Sequence, residues 1–383
     1  MIEWDELFKY RENNQLEAKR AAGGLPNNLW ETYSAFANTN GGVILLGVDE
    51  NPDGTLNPLG VNNPDKLLHD IWNTVNNSQK VSVNILRERN IQMLQQGDQT
   101  IIAMDVPRAE RTDKPVYLNN DIWNAYRRNG EGDYRCTKPN VKAMLRDSAQ
   151  TTQDMLVLEK SPFSVFDYDT IHAYRNAMKR SRPEHVWEQL DDDEFLFKLG
   201  ALGRGDDDQL HPTAAGLLMF GFENEIVHEY PSYFLDYQEH FDANLRWTDR
   251  ITSTSGEWSG NLFMFFFKTY NKLIQNPNIK VPFRLEGAIR IDDTPIHKAL
   301  REALANTLIN ADYYGEGGLV VKSDFEKISF ENPGSLRIRI EEAICGGFSA
   351  PRNAVLMKMF NLLDIGERAG SGIPNIYHVW KTY

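Results

Sequence analysis

The sequence predicts an α+β fold in three parts: a mixed-sheet N-terminal domain over residues 1–148, a mainly helical linker module over 155–285, and a C-terminal α/β sandwich over 286–383. Short stretches of period two alternate with stretches of period 3.6 in the first and last parts. Between the first and second parts, Asp147 to Asp154 is polar and lacks either period, which marks a boundary.

The N-terminal elements follow in order. Gln15 to Arg20 alternates as a short strand, so Glu17 and Lys19 share one face while Leu16 and Ala18 turn inward. A helix follows, with Leu29, Tyr33, Phe36 and Ala37 on its apolar side, and then Val43 to Asp49 forms an apolar strand that ends in a carboxylate. Pro64 to Asn77 has helical spacing, Val81 to Leu86 and Thr100 to Val106 read as strands, and Asn119-Asn120 is a hairpin turn between Pro115–Leu118 and Ile122–Arg128. With the first two strands as neighbours, Glu12, Glu17 and Asp49 converge beside Lys19. Three carboxylates repel unless a cation lies between them, and hard oxygen ligands suit Mg²⁺ or Mn²⁺.

The order Glu12-x4-Glu17-x-Lys19, then a helix, then Ala35-Phe36-Ala37-Asn38-Thr39-Asn40-Gly41-Gly42 and Gly47-Val48-Asp49, resembles the core domain shared by Schlafen proteins and the bacterial divergent AlbA-like domain. The resemblance spans residues 10 to 140 and departs at Ala18, where the family usually carries an aromatic residue. It implies a metal-dependent RNA-cleaving site whose metal ligands are Glu12, Glu17 and Asp49, with Lys19 stabilising developing charge. Bacterial relatives described only as DNA-binding regulators keep open a domain that binds without cutting.

Composition sets outer limits. The chain has 383 residues, 41% hydrophobic and 11% aromatic, enough for two or three globular domains. Its longest strongly apolar run, Leu262 to Phe267, falls far short of the ~20 residues of a membrane-spanning helix, so no membrane partner and a cytoplasmic location are expected. Cys136 and Cys345 have no ligand spacing, which gives no case for zinc.

The net charge of −13 opposes nucleic-acid binding overall, yet Arg108 to Arg146 carries nine basic residues against five acidic ones. Arg108, Arg111, Arg127, Arg128, Arg135 and Lys138, interleaved with Trp123, Tyr126 and Tyr134, suit a groove that follows phosphates and stacks bases. A solvated hairpin with core aromatics fits the same residues. RNA is the favoured nucleic acid, DNA the alternative, and a homo-oligomer is expected.

In the middle part, Asp169–Lys179, Glu194–Leu199 and Pro212–Phe220 read as helices. The last two flank the acidic turn Gly203 to Gln209, an order compatible with helix-turn-helix but repelled by DNA. The C-terminal part begins with Thr294-Pro295 and a helix over Ile296–Asp312, on which Glu302, Asn306 and Asn310 recur every four residues. Strands Gly318–Lys322 and Lys327–Glu331 lead to Asn332-Pro333-Gly334, and Gly366 to Gly372 is a glycine-rich turn opening a helix, where NH groups and the dipole favour phosphate.

This order resembles the ATP-binding GHKL fold of histidine kinases and gyrase, in the divergent version that often follows the AlbA-like domain. The resemblance places Glu302 as general base where hydrolysis occurs, Asn306 as Mg²⁺ ligand, and Gly370, Ser371 and Gly372 against phosphates; Asn332 and Gly334 stand near the place of the missing Asp-x-Gly-x-Gly aspartate. Further strands commonly follow in that group, so Tyr383 is read as a fragment edge or a short variant. A metal-dependent endoribonuclease acting on RNA, tRNA included, with a nucleotide-sensing C-terminal domain and a host-defence context, is the favoured function. The alternatives are a DNA-binding transcriptional regulator without catalysis and a GHKL-type ATPase whose N-terminal domain docks partners.

Overall fold

The computed structural model describes residues 13–96, 99–276, 284–286, 289–291, 294–366, 370 and 372–382. The fold is α+β, with 12 α-helices and several small sheets among the described residues. It divides into two compact units, Met1–Gln150 and Thr151–Tyr383.

The N-terminal unit runs β1 (Leu16–Lys19), α1 (Leu29–Asn38), β2 (Gly42–Leu46), β3 (Val48–Glu50), β4 (Leu56–Pro58), α2 (Pro64–Val75), β5 (Ile91–Gln96), β6 (Gln99–Val106), β7 (Tyr117–Leu118), β8 (Asp121–Asn129), β9 (Gly132–Arg135) and α3 (Lys138–Ser148). Its main sheet has the order β1-β2-β6-β5, with β1 parallel to β2 and the other pairs antiparallel. Alternation along β2 and β6 sends Ile44, Leu46, Ile102 and Met104 into one core with Tyr33 and Phe36 of α1 and Ile71 of α2. Leu45, Ile101 and Ala103 turn instead into a smaller core with Leu16 and Val48.

The apolar run expected as one strand over 43–49 is two strands. Gly47, at φ +88°, breaks it, and a Cβ there would lie 2.8 Å from the backbone of Gly60, so only glycine fits the bend. Asp49 therefore belongs to the separate hairpin of β3 with β4, opposite Asn57. The Asn119-Asn120 turn forms as expected between β7 and β8, with both residues at positive φ (56° and 55°), the conformation a two-residue primed turn requires. The expected strand over 81–86 does not form; only Val81 makes an isolated bridge, to Leu118. Side chains occupy its hydrogen bonds instead: the Tyr33 hydroxyl donates to Val83 O and accepts from Ile85 N, and Ser82 Oγ accepts from Tyr117 N.

The C-terminal unit runs α4 (Tyr168–Ser181), α5 (Asp192–Leu199), β10 (Leu202–Arg204), β11 (Leu210–Pro212), α6 (Ala214–Phe220), α7 (Glu223–Glu229), β12 (Leu235–His240), β13 (Asp249–Thr252), α8 (Leu262–Leu273), β14 (Arg284–Glu286), β15 (Ile289–Ile291), α9 (Pro295–Ile309), β16 (Leu319–Asp324), β17 (Ile328–Glu331), α10 (Ile340–Cys345), α11 (Ala354–Asn361) and α12 (Gly372–Thr382). The acidic segment between α5 and α6 is a β-hairpin, with Leu202 opposite Pro212, so the arrangement is not helix-turn-helix. Each flanking helix starts on its own cap: Asp191 Oδ1 accepts from Glu194 N, and Thr213 Oγ1 accepts from Gly216 N.

The expected boundary at 285/286 crosses a continuous structure. The sheet order β13-β12-β16-β17 pairs β12 in parallel with β16, Leu235 opposite Leu319, so strands from both sides of that boundary lie in one sheet. One core contains Tyr174, Phe220 and Phe266 together with Leu304, Leu308 and Phe360. The apolar face of α9 is buried against residues of the supposed linker module, which gives neither segment a core of its own.

Candidate nucleic-acid and nucleotide sites

In the N-terminal unit, Glu17 and Lys19 lie opposite Ile44 and Leu46, and so share the face that carries α1. The Glu17 carboxylate is held at both oxygens, accepting from Lys19 Nζ at 2.9 Å and from Arg128 Nη2 at 2.8 Å. Arg128 also donates to Asp133 Oδ1 at 2.9 Å and to Asn13 O, and its guanidinium lies 5.1 Å from the centroid of the Phe36 ring. Asp133 in turn accepts from Thr32 Oγ1 at 2.6 Å. Only 1% of the Arg128 side chain is exposed. Burial works against its charge, but the hydrogen bonds and charges of Asp133 and Glu17 outweigh it and raise its pKa.

Asp49, on β3, accepts from Arg20 Nε at 2.6 Å; that hydrogen bond lowers its pKa. Glu12 lies outside the described residues. Among the described residues no three His, Cys, Asp or Glu side chains gather to hold a metal ion. Glu17 and Asp49 each face a cationic side chain, so in this arrangement neither carboxylate is open to a metal ion.

The basic stretch splits into inward and outward groups. Arg128 is interior, and Arg111 donates to Asp147 O and Ala149 O at 2.8 and 2.9 Å, tying down the end of α3. Arg135 donates to Trp123 O and pairs with Asp121 at 3.3 Å, while Lys138 Nζ lies 6.0 Å from the centroid of the Trp123 ring. Trp123 and Tyr134 are exposed. Arg108 and Arg127 flank a residue that the sequence reading did not single out, Lys114, whose pKa is pushed down to about 7 by burial first and by the charges of Arg108 and Arg127 second. Lysine's ordinary solvation gives no local sequence signal of this.

In the C-terminal unit, seven of the eight residues expected to meet a nucleotide line one cavity of about 290 Å³: Glu302, Asn306 and Asn310 from α9, Asn332 and Gly334 after β17, and Gly370 and Gly372 at the start of α12. Ser371, the eighth, lies outside the described residues. Glu302 Oε1 accepts from Asn306 Nδ2 at 3.1 Å, one helical turn along. A Cβ on Gly372 would sit 2.1 Å from Glu302 Oε1, so glycine is what lets α12 begin against that carboxylate. Sequence reasoning missed Arg352, which lines the same cavity while donating to Asn310 O and Ser335 O at 2.5 and 2.8 Å. Arg352 has no spacing relation to α9; only the fold brings it there.

Comparison with known proteins divides the chain in the same sense. Residues 12–137 match the Schlafen, AlbA_2 family, and residues 322–383 match the family described as putative ATP-dependent DNA helicase recG C-terminal. The chain is therefore similar to the Schlafen, AlbA_2 family in its N-terminal part and to the recG C-terminal family in its C-terminal part. Residues 142–236 match a domain of unknown function (DUF8451). Among solved structures, the DIP2311 protein from Corynebacterium diphtheriae is similar over 94% of this chain at 17% identity and a TM-score of 0.42, and this chain spans 59% of that protein's length. The N-terminal domain of a putative ATP-dependent DNA helicase RecG-related protein from Nitrosomonas europaea is similar at 33% identity over 32% of this chain and 82% of its own, with a TM-score of 0.23. No curated protein matches. No helix among the described residues is long and apolar enough to cross a membrane.

Proposed function

We propose that this chain is a nucleic-acid-binding protein, RNA being the favoured strand, with a C-terminal module that senses a nucleotide. The observation that carries the reading is the convergence of α9, the turn after β17 and the start of α12 on one cavity of about 290 Å³. That size is near the lower end of the ~300–1,000 Å³ range of small-molecule pockets. Asn306 and Asn310 supply amide groups, and the N-terminal end of α12 supplies a partial positive charge suited to phosphate. Mg²⁺ bound with the nucleotide would offset the charge of Glu302 at that end. Glu302 is the only carboxylate lining the cavity among the described residues, so the position of Asn332 offers no carboxylate to accept an adenine amino group. Calorimetric titration of the full chain with ATP, GTP and ADP tests the module: heat with at least one nucleotide is expected, and none with any of them overturns it.

The second reading, a metal-dependent endoribonuclease, is favoured by the hydrogen bond from the buried Lys19 to Glu17. Cleavage would require Glu17 to exchange its partners for a metal ion. Mn²⁺-dependent cutting of structured RNA that disappears in Glu17→Gln supports this reading; cutting that survives the substitution or EDTA rejects it.

A further inference from the structure

We propose that Arg108, Lys114 and Arg127 form a phosphodiester-binding locus for single-stranded nucleic acid at the C-terminal end of α1, with Tyr134 as the stacking surface for the adjoining base. This deepens the nucleic-acid reading and rests on it. Three hydrogen bonds bring the cations to one place. Lys114 Nζ donates to Asn38 O at 2.9 Å, Ala109 N beside Arg108 donates to Ala37 O at 2.9 Å, and Arg128 N beside Arg127 donates to Thr39 Oγ1 at 3.0 Å.

One cation is enough to satisfy the partial negative charge of a helix end. Lys114 supplies that cation, and the charge of Arg127, which makes no side-chain hydrogen bond or ion pair among the described residues, comes in addition to it. Asp147 and Glu110 face Lys114 as counter-charges, but their influence is weaker than that of Arg108 and Arg127. A phosphate between the cations turns that repulsion into attraction.

Tyr134 lies directly opposite Arg127 in the β8–β9 ladder and is 60% exposed. An open ring next to a phosphate site takes an unstacked base, which a duplex does not offer. A bound phosphate also raises the pKa of Lys114, so binding takes up a proton above about pH 7, and affinity falls as pH rises further.

Fluorescence anisotropy of the full chain with labelled oligouridylate and oligodeoxythymidylate, at fixed ionic strength from about pH 6 to about pH 9, tests the locus. The expected result is flat affinity below about pH 7 and a loss of up to about tenfold per pH unit above it. Lys114→Arg should bind tightly with the slope gone, and Lys114→Gln weakly with the slope gone. Arg127→Gln and Tyr134→Ala should each weaken binding about tenfold, and the matching duplex should bind less well than either strand. A preference for one oligomer assigns the natural strand and supports the locus. Wild-type binding with no pH slope, or Lys114→Gln binding like wild type, overturns it and leaves the nucleic-acid reading standing. No binding of any oligomer at any pH overturns that reading as well.

Discussion

Glu17 and Glu302 are both carboxylates that the sequence marks for chemistry, and their surroundings differ. Glu17 is closed: each oxygen accepts from a buried cation, and the guanidinium that holds it also ties Asp133 and the Asn13 carbonyl into one network. Glu302 stands at a cavity, leaning on the Asn306 amide, with a glycine backbone opposite. The same residue type is a rivet in one unit and part of a ligand-sized opening in the other. What separates them is what the fold delivers: Arg128 arrives on a distant strand to neutralise Glu17, whereas the start of α12 brings Gly372 against Glu302 at the wall of a cavity.

If Glu17 is a rivet, removing its partner should have the largest effect. Arg128→Ala leaves Asp133 without its cation and Glu17 with Lys19 alone, both largely buried, and should destabilise the N-terminal unit by about 3–5 kcal/mol, read as a lower denaturation midpoint of its transition. A midpoint unchanged within error would show that Glu17 and Asp133 do not depend on that guanidinium. Next is Gly372→Ala, whose methyl group meets the Glu302 carboxylate and closes the cavity. Overpacking of this kind costs about 1–3 kcal/mol, and calorimetry should show nucleotide affinity reduced while the N-terminal transition is unmoved.

A third expectation sharpens the reading of the open site. With no carboxylate at Asn332, ATP and GTP should bind within about tenfold of each other, about 1.4 kcal/mol. Strong ATP selectivity in competition titrations would show that another group reads the base. A smaller effect concerns pH. The folded pKa of Lys114, about 7, lies below the ordinary lysine value, so between them the unfolded chain binds the extra proton and stability rises with pH. The contribution is at most about 1.4 kcal/mol per pH unit, and Lys114→Met should flatten that rise in thermal midpoint. Smallest of all, Arg20→Ala breaks only an exposed pair with Asp49 and should leave the midpoint where it was.

Local pattern made much of this legible. The Asn119-Asn120 turn, the alternation of Leu16 to Lys19 and the four-residue recurrence of Glu302, Asn306 and Asn310 are short-range properties, and each lies where its spacing puts it. The nucleotide candidates meet in one cavity because a helix stripe and two glycine turns carry their own geometry. Long-range partners were not legible. Nothing near Glu17 announces Arg128, and nothing near Val81 to Leu86 announces that Tyr33 would take the hydrogen bonds of a strand. The division at 285/286 failed for the same reason, since strand pairing between Leu235 and Leu319 leaves no mark in either segment's composition.

That last pairing also affects the order in which the chain can be built. β12 emerges from the ribosome well before β16, and until β16 arrives one side of β12 has only open hydrogen-bonding groups. β13 can pair the other side at once as an antiparallel neighbour, but the parallel partner must wait for α8 and α9 to be synthesised and to cross over. The half-made chain therefore carries an exposed strand edge through that interval, the kind of surface on which nascent chains associate with one another. Slow, non-local closure of this sheet makes the C-terminal unit the part whose yield should depend most on chaperones and on the rate of translation.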